Sequence, residues 1–312
     1  MGFIYILLFV LVSGKILVSV CKKTFPPKAW TKSQKAGVMY SCREEHFWIK
    51  RNADIDIFLE TPVMKMSIIV GLCLMLVACS EVPREVSQTP PSHQQWHELL
   101  LKHVKQNGRV DYRGFITDKE GLNGYLDSLS AHAPAATWSR EERLAYWINA
   151  YNAFTIKLIV DNYPVESIRD LGPALTIPGI HTVWHMQFFE LGGKPTSLDE
   201  IEHGILRKEF DEPRIHFAIN CASVSCPPLR RGAFTSDHIN EQLHEQAVAF
   251  INDPTRNKIS KDRVEVSKIF SWFEADFTKN GSLRDFLNQY SEVKISEKMD
   301  IKYLGYDWRL NE

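Results

Sequence analysis

The chain has 312 residues, 44% of them hydrophobic and 24% charged, with 37 Lys and Arg set against 38 Asp and Glu. A net charge of -1 excludes the dense positive field of a polyanion-binding surface, so no nucleic-acid partner is expected. The composition is that of a folded, soluble domain and leaves open both an enzyme and a binding module.

Phe3 to Val20 is largely apolar, interrupted by Lys15, and reads as a second export signal or a membrane helix. Two export signals in series are uncommon. Residues 1–63 are therefore expected to be a mis-assigned extension, with the true initiator at Met64 or Met66 and no role for Cys21 and Cys42. Residues 64–79 carry a lysine, an apolar run too short to span a bilayer comfortably, and then Leu76-Val77-Ala78-Cys79. That tetrapeptide resembles a lipobox, which implies cleavage before Cys79 and a diacylglyceryl thioether on its sulfur, since a thiol is the nucleophile that receives the lipid. Several acyl chains anchor stably where one is marginal. Ser80, in place of Asp, resembles the outer-membrane pattern, so the expected location is the envelope, lipid-anchored to the outer membrane and facing the periplasm.

Residues 80–95 begin with a polar, proline-bearing tether, and 96–312 read as one globular domain. Trp96, Leu99, Leu100, His103 and Val104 form a helical stripe that Asn107-Gly108 stops. Thr117 with Glu120 and Ser139 with Glu142 are expected capping boxes. The second opens the strongest helix, with Leu144, Ile148, Tyr151, Phe154, Leu158 and Ile159 on one face and Pro164 at its end. Val183 to Leu191 suits a strand turned by Gly192-Gly193, and Ser197 with Glu200 caps a helix to Arg207. Ile215 to Ile219 suits a buried strand, and Ile239 to Ile251 a helix. Two short strands (Lys258–Ser260 and Val264–Val266) and two helices (Phe270–Phe277 and Leu283–Tyr290) complete the chain. The fold class expected is α+β, or α/β.

The sharpest chemical signal is Asn220-Cys221-Ala222-Ser223-Val224-Ser225-Cys226-Pro227-Pro228, where a buried segment runs into a loop of small and polar residues with two thiols. A thiol attacks only as thiolate and needs an imidazole or another positive field nearby. His203 and His216 are the available partners. Glu202 is a carboxylate placed to orient an imidazole, and Asn149 and Asn152 flank the long helix as third members or oxyanion donors. Each has a plainer reading. Cys221 and Cys226 suit a structural disulfide, His216 a core histidine, Glu202 an ion pair with Arg207 or Arg214, and Asn149 and Asn152 backbone caps. His181 and His185 fall in a loop and a strand, where helical ligand spacing does not apply, so no metal is expected; nor is a cofactor.

Three segments together, Leu144 to Phe154, Ser197 to Arg207 and His216 to Leu229, resemble the family known as domain of unknown function 547 (DUF 547), with a core over about 140–250. The resemblance implies kinship with papain-like and transglutaminase-like cysteine enzymes, hence a divergent or permuted papain-like fold. It implies Cys221 as nucleophile, His203 or His216 as base, and Glu202 or Asn152 steering the imidazole. One departure is that both histidines precede the cysteine. The function expected is cysteine-dependent acyl transfer or amide hydrolysis on a peptide or peptidoglycan substrate. The alternative is a non-catalytic binding or scaffold lipoprotein locked by a Cys221–Cys226 disulfide.

Overall fold

The computed structural model describes residues 89–172 and 182–312, together with the backbone of three strands nearer the start. The chain divides into two compact units, Met1–Pro83 and Arg84–Glu312. In the first, β1 (Tyr5–Val12) pairs antiparallel with β2 (Lys15–Lys23), and β2 with β3 (Tyr40–Cys42). The segment Phe3 to Val20, expected to be a signal or a membrane helix, thus falls largely within a pair of strands. Ile, Val and Phe favour a strand as readily as an apolar helix, so hydropathy alone does not separate the two. Cys79 with its lipobox, Met64, Met66 and His181 lie outside the described residues. Among the described residues no helix is long and apolar enough to cross a membrane.

The second unit opens with α1 (Gln94–His103), which buries Trp96, Leu99, Leu100 and His103. Asp111 then accepts the Gly114 N–H and starts α2 (Tyr112–Thr117). The expected Thr117–Glu120 box is not formed. Thr117 ends α2 with its hydroxyl donated to the Arg113 carbonyl, and Asp118 precedes α3 (Lys119–Ala131) with its carboxylate turned to Lys102 and His103. The Ser139–Glu142 box is present and opens α4 (Arg140–Asn162), which is buried on nearly every side, as a helix at the centre of a domain must be.

Beyond α4 the elements are short and irregular. Val183–His185 is a 3-10 turn, so only Phe189–Leu191 (β4) of the expected strand is extended; it pairs antiparallel with β5 (Lys194–Thr196) across Gly192 and Gly193, both at positive φ. Glu200–Leu206 winds as a π-helix running into an α-helical turn at Arg207–Glu209. The buried strand expected at Ile215–Ile219 is instead a 3-10 turn, Pro213–Phe217. Pro213 fits its first turn, and the Glu212 carboxylate accepts the Arg214 N–H.

Next come α5 (Ile239–Ile251), β6 (Lys258–Ile259), β7 (Val264–Val266), α6 (Ile269–Trp272), α7 (Glu274–Phe277), α8 (Leu283–Tyr290) and β8 (Ile301–Tyr303). β7 lies between an antiparallel β6 and a parallel β8, with Val264 opposite both Ile259 and Ile301. The fold is α+β.

Two apolar clusters hold the unit together. One surrounds α4, and the other gathers Phe217, Phe250, Phe270, Phe277 and Phe286. The Pro213–Phe217 turn serves both, with Ile215 in the first cluster and Phe217 in the second. The chain leaves that seam directly into the cysteine loop.

Candidate functional site

Two buried asparagines shape the loop before any thiol chemistry begins. Asn152, on α4, accepts the Asn220 N–H at 2.8 Å and donates to the Ala218 carbonyl at 2.9 Å. Asn220 in turn donates to the Pro227 carbonyl and accepts the Ala222 N–H. Ala222 takes the left-handed conformation at φ 58°, a strained choice for a residue with a Cβ. The C-terminal segment closes over the outside of the loop, with the Val224 N–H donated to the Arg309 carbonyl and the Ser225 N–H to that of Asp307. Arg256 holds the Cys226 and Val224 carbonyls at 2.8 and 3.1 Å. Each of these bonds pairs a backbone group of the loop, and those at the buried Ala218, Asn220, Ala222 and Cys226 would otherwise be left unpaired away from water.

This frame brings Cys221 and Cys226 together as free thiols with their Sγ atoms 2.7 Å apart. The Cys221 N–H points at the Cys226 sulfur at 2.9 Å. Cys221 Sγ also lies 3.3 Å from the hydroxyls of Ser223 and Tyr306. The Cys226 side chain and these two hydroxyls, with the Ser223 backbone, outweigh burial and bring the Cys221 thiol down to about 7. Burial, and then the neighbouring Cys221, push Cys226 upward. Burial raises Tyr306 too, so its hydroxyl keeps its proton.

Cys221 and Cys226 open onto a cavity of about 340 Å³. Glu202, His203 and His216 line the same cavity, which therefore unites five of the seven candidate residues of the loop and its surroundings. Asn149 and Asn152 are the exceptions: both bond to backbone, as the plainer reading had it, and neither steers an imidazole.

The histidines do not meet the sulfur. Among the described residues, the partners of Cys221 Sγ are Ser223, Cys226 and Tyr306. His216, 3% exposed, stacks on Phe273 at 3.9 Å and bonds through Nε2 to Asp276 at 2.8 Å. Burial lowers its basicity more than Asp276 restores it, so the ring is neutral near pH 7. A neutral ring donating Nε2–H to Asp276 carries its lone pair on Nδ1. That atom is buried without a hydrogen bond and lies 3.9 Å from Glu202 Oε1.

Glu202 is buried on the π-helix. Desolvation, with the charge of Cys221 behind it, raises its carboxyl to about 8, against a hydrogen bond from Tyr151. It pairs with neither Arg207 nor Arg214: Arg207 grips Asp276 through Nε and Nη2 at 2.6 and 3.1 Å, and Arg214 binds Glu212. Burial opposes the charge on Asp276, but His216 and Arg207 hold it well below the usual carboxylate range. His203 is half-exposed at the rim and accepts Arg207 Nη1–H at 2.7 Å.

Sequence reasoning missed Asp276, Tyr151, Tyr306 and the aromatic wall of Trp184, Trp272, Phe273 and Trp308. Tyr151 sits on the apolar face of its helix, where periodicity reads it as core. Asp276 and Tyr306 come from segments far beyond the motifs, and no local spacing marks them or the aromatic wall. No group of three or more acids, histidines or cysteines suited to a metal occurs among the described residues. No curated protein and no solved structure matches the chain. Residues 135–251, which carry α4, the π-helix and the cysteine loop, match the family described as "Protein of unknown function, DUF547", the family that the three motifs resemble.

Proposed function

We propose that the cavity is the active site of a cysteine-dependent acyl-transfer or amide-hydrolysis enzyme, with Cys221 as nucleophile, anchored in the envelope through a lipid on Cys79. The observation that carries this reading is Cys221, partly exposed on a cavity of about 340 Å³, with its sulfur held by Cys226 and two hydroxyls rather than by an imidazole. A thiol held near 7 is about half ionised at neutral pH and needs no separate base. Its attack on a carbonyl carbon forms a thioester and expels an amine that needs a proton. Glu202, raised to about 8, still holds that proton at neutral pH, so the carboxyl and the thiol are split as acid and nucleophile. His216 keeps its lone pair toward Glu202 and is positioned by Asp276 and Arg207. Water, or an acceptor amine, then takes the acyl group. A lipid-anchored protein in the periplasm would meet peptidoglycan stem peptides and envelope proteins, which are the substrates proposed.

The test uses two probes on the reduced full-length protein in detergent. p-Nitrophenyl acetate, whose leaving group needs no proton, should acylate Cys221 in the wild type and in Glu202→Gln but not in Cys221→Ala. Hydrolysis of peptide amides in a muropeptide digest should fall by about 10²–10⁴ in Glu202→Gln. Acylation that persists in Cys221→Ala would end the proposal.

A non-catalytic binding lipoprotein is favoured by one observation: among the described residues neither sulfur has an imidazole partner. On that reading the aromatic wall binds a ligand without turnover, and p-nitrophenyl acetate leaves no adduct on Cys221.

A further inference from the structure

Cys226 neither attacks the carbonyl nor protonates the leaving amine in acyl transfer, yet the loop is built to bring it to Cys221. The two residues differ in the way an attacking and a resolving thiol must. Both line the cavity, but Cys221 is partly exposed there with two hydroxyls at its sulfur, whereas Cys226 is 4% exposed and receives the Cys221 N–H. The approach needs no rearrangement, because Asn152, Asn220 and Arg256 already hold both ends of the loop. A purely structural bridge gains nothing from an opening beside one of its sulfurs. Exposure of one sulfur to a cavity is the condition under which a disulfide becomes exchangeable.

We propose that Cys221 and Cys226 form a reversible dithiol–disulfide couple that exchanges with a peptide or small-molecule disulfide entering the cavity. The Cys221 thiolate attacks one sulfur of the incoming disulfide. A Cys221–substrate S–S bond forms, the substrate's own S–S bond breaks, and its first thiolate leaves and takes a proton from water. Cys226 then loses its proton, with the Cys221 N–H aimed at the developing charge, and attacks Cys221 Sγ. The intramolecular S–S bond forms and the second substrate thiolate departs. Two electrons and two protons pass from the thiol pair to the substrate, which is reduced to two thiols; excess thiol drives the same steps backward. This activity uses the nucleophile of the acyl-transfer reading but not its acid, so loss of amide hydrolysis leaves it standing.

The measurement is a redox titration of the full-length protein in detergent with reduced and oxidised glutathione, trapped with iodoacetamide and digested with trypsin. Cleavage after Arg214 and Arg230 releases both cysteines on one peptide, Ile215 to Arg230, which is doubly labelled when reduced and unlabelled and two hydrogens lighter when bridged. The peptide should pass from mostly bridged to mostly labelled over roughly a hundredfold change in the glutathione ratio, as a two-electron couple requires. Oxidised glutathione should add once to Cys221 in Cys226→Ser and should not add to Cys226 in Cys221→Ser. A bridge that survives a large excess of reduced glutathione would make the disulfide structural and overturn the proposal. Two thiols that stay labelled even in oxidised glutathione alone would overturn it equally, and both results are read on the wild type whether or not the variants fold.

Discussion

Asn152 and Glu202 are both buried polar residues that touch the cysteine loop or its cavity, and they do opposite things to stability. Asn152 satisfies one backbone donor and one backbone acceptor on either side of Ile219. Asn152→Ala should leave both unpaired and cost about 2–4 kcal/mol, read as a lower denaturation midpoint with an unchanged slope. Glu202 penalises the fold instead. Its carboxyl is raised from 4.5 to about 8, so between those pH values the unfolded chain sheds the proton and the native one keeps it. Stability from this group therefore falls as pH rises through that window, by roughly 5 kcal/mol at most. Glu202→Gln should flatten the decline between pH 5 and pH 8 in thermal melts; a decline as steep as in the wild type would place the titrating group elsewhere. At this scale much of the site was legible. Small residues around two thiols, and a carboxylate beside a histidine on one helix, are local patterns. Asp276, 60 residues from His216, and Tyr306, 85 from Cys221, are joined to the site only by tertiary packing, which no spacing reports.

Regular helices obey their periodicity, while the elements that carry the site do not. α4 and α8 begin at serine-led capping boxes. Ile215 to Ile219 suits a strand because an apolar run of that length fits any buried backbone, and Pro213 with the Glu212 cap decides for a 3-10 turn. The π-helix at Glu200–Leu206 retains the stripe of an α-helix, so its wider winding is hidden from an apolar pattern. Asp276 joins these elements, since it binds Arg207 beyond the π-helix and His216 on the turn from its place on α7. Asp276→Ala should leave the half-buried Arg207 guanidinium with His203 as its remaining partner and the buried His216 Nε2–H with none, and cost about 3 kcal/mol. It should also lower the His216 pKa further, a shift that proton NMR of the ring reads and that loss of packing alone would not produce.

Across the whole second unit, the site is shared between the family stretch and the C-terminal residues beyond it. The match ends at residue 251, whereas Trp272, Phe273, Tyr306 and Trp308 complete the cavity from beyond that point and Asp276 binds His216 behind its wall. The C-terminal segment also serves stability: the Asn311 side chain meets the buried Tyr112 hydroxyl and Asn220, and its carbonyl accepts the Val110 N–H. A chain ending at Ile251 should fail to fold, because the second apolar cluster loses Phe270, Phe277, Phe286 and Leu287 and leaves Phe217 and Phe250 uncovered. Circular dichroism would read that directly.

The most direct test of the central claim, a Cys221 thiolate stabilised without an imidazole, is the rate of its alkylation by iodoacetamide against pH. It is monitored on the Ile215 to Arg230 peptide of the reduced full-length protein. The account expects a midpoint near pH 7 that moves upward in Tyr306→Phe and stays in place in His203→Ala. A midpoint at or above the ordinary thiol value of about 8.5, or one set by His203, would contradict it.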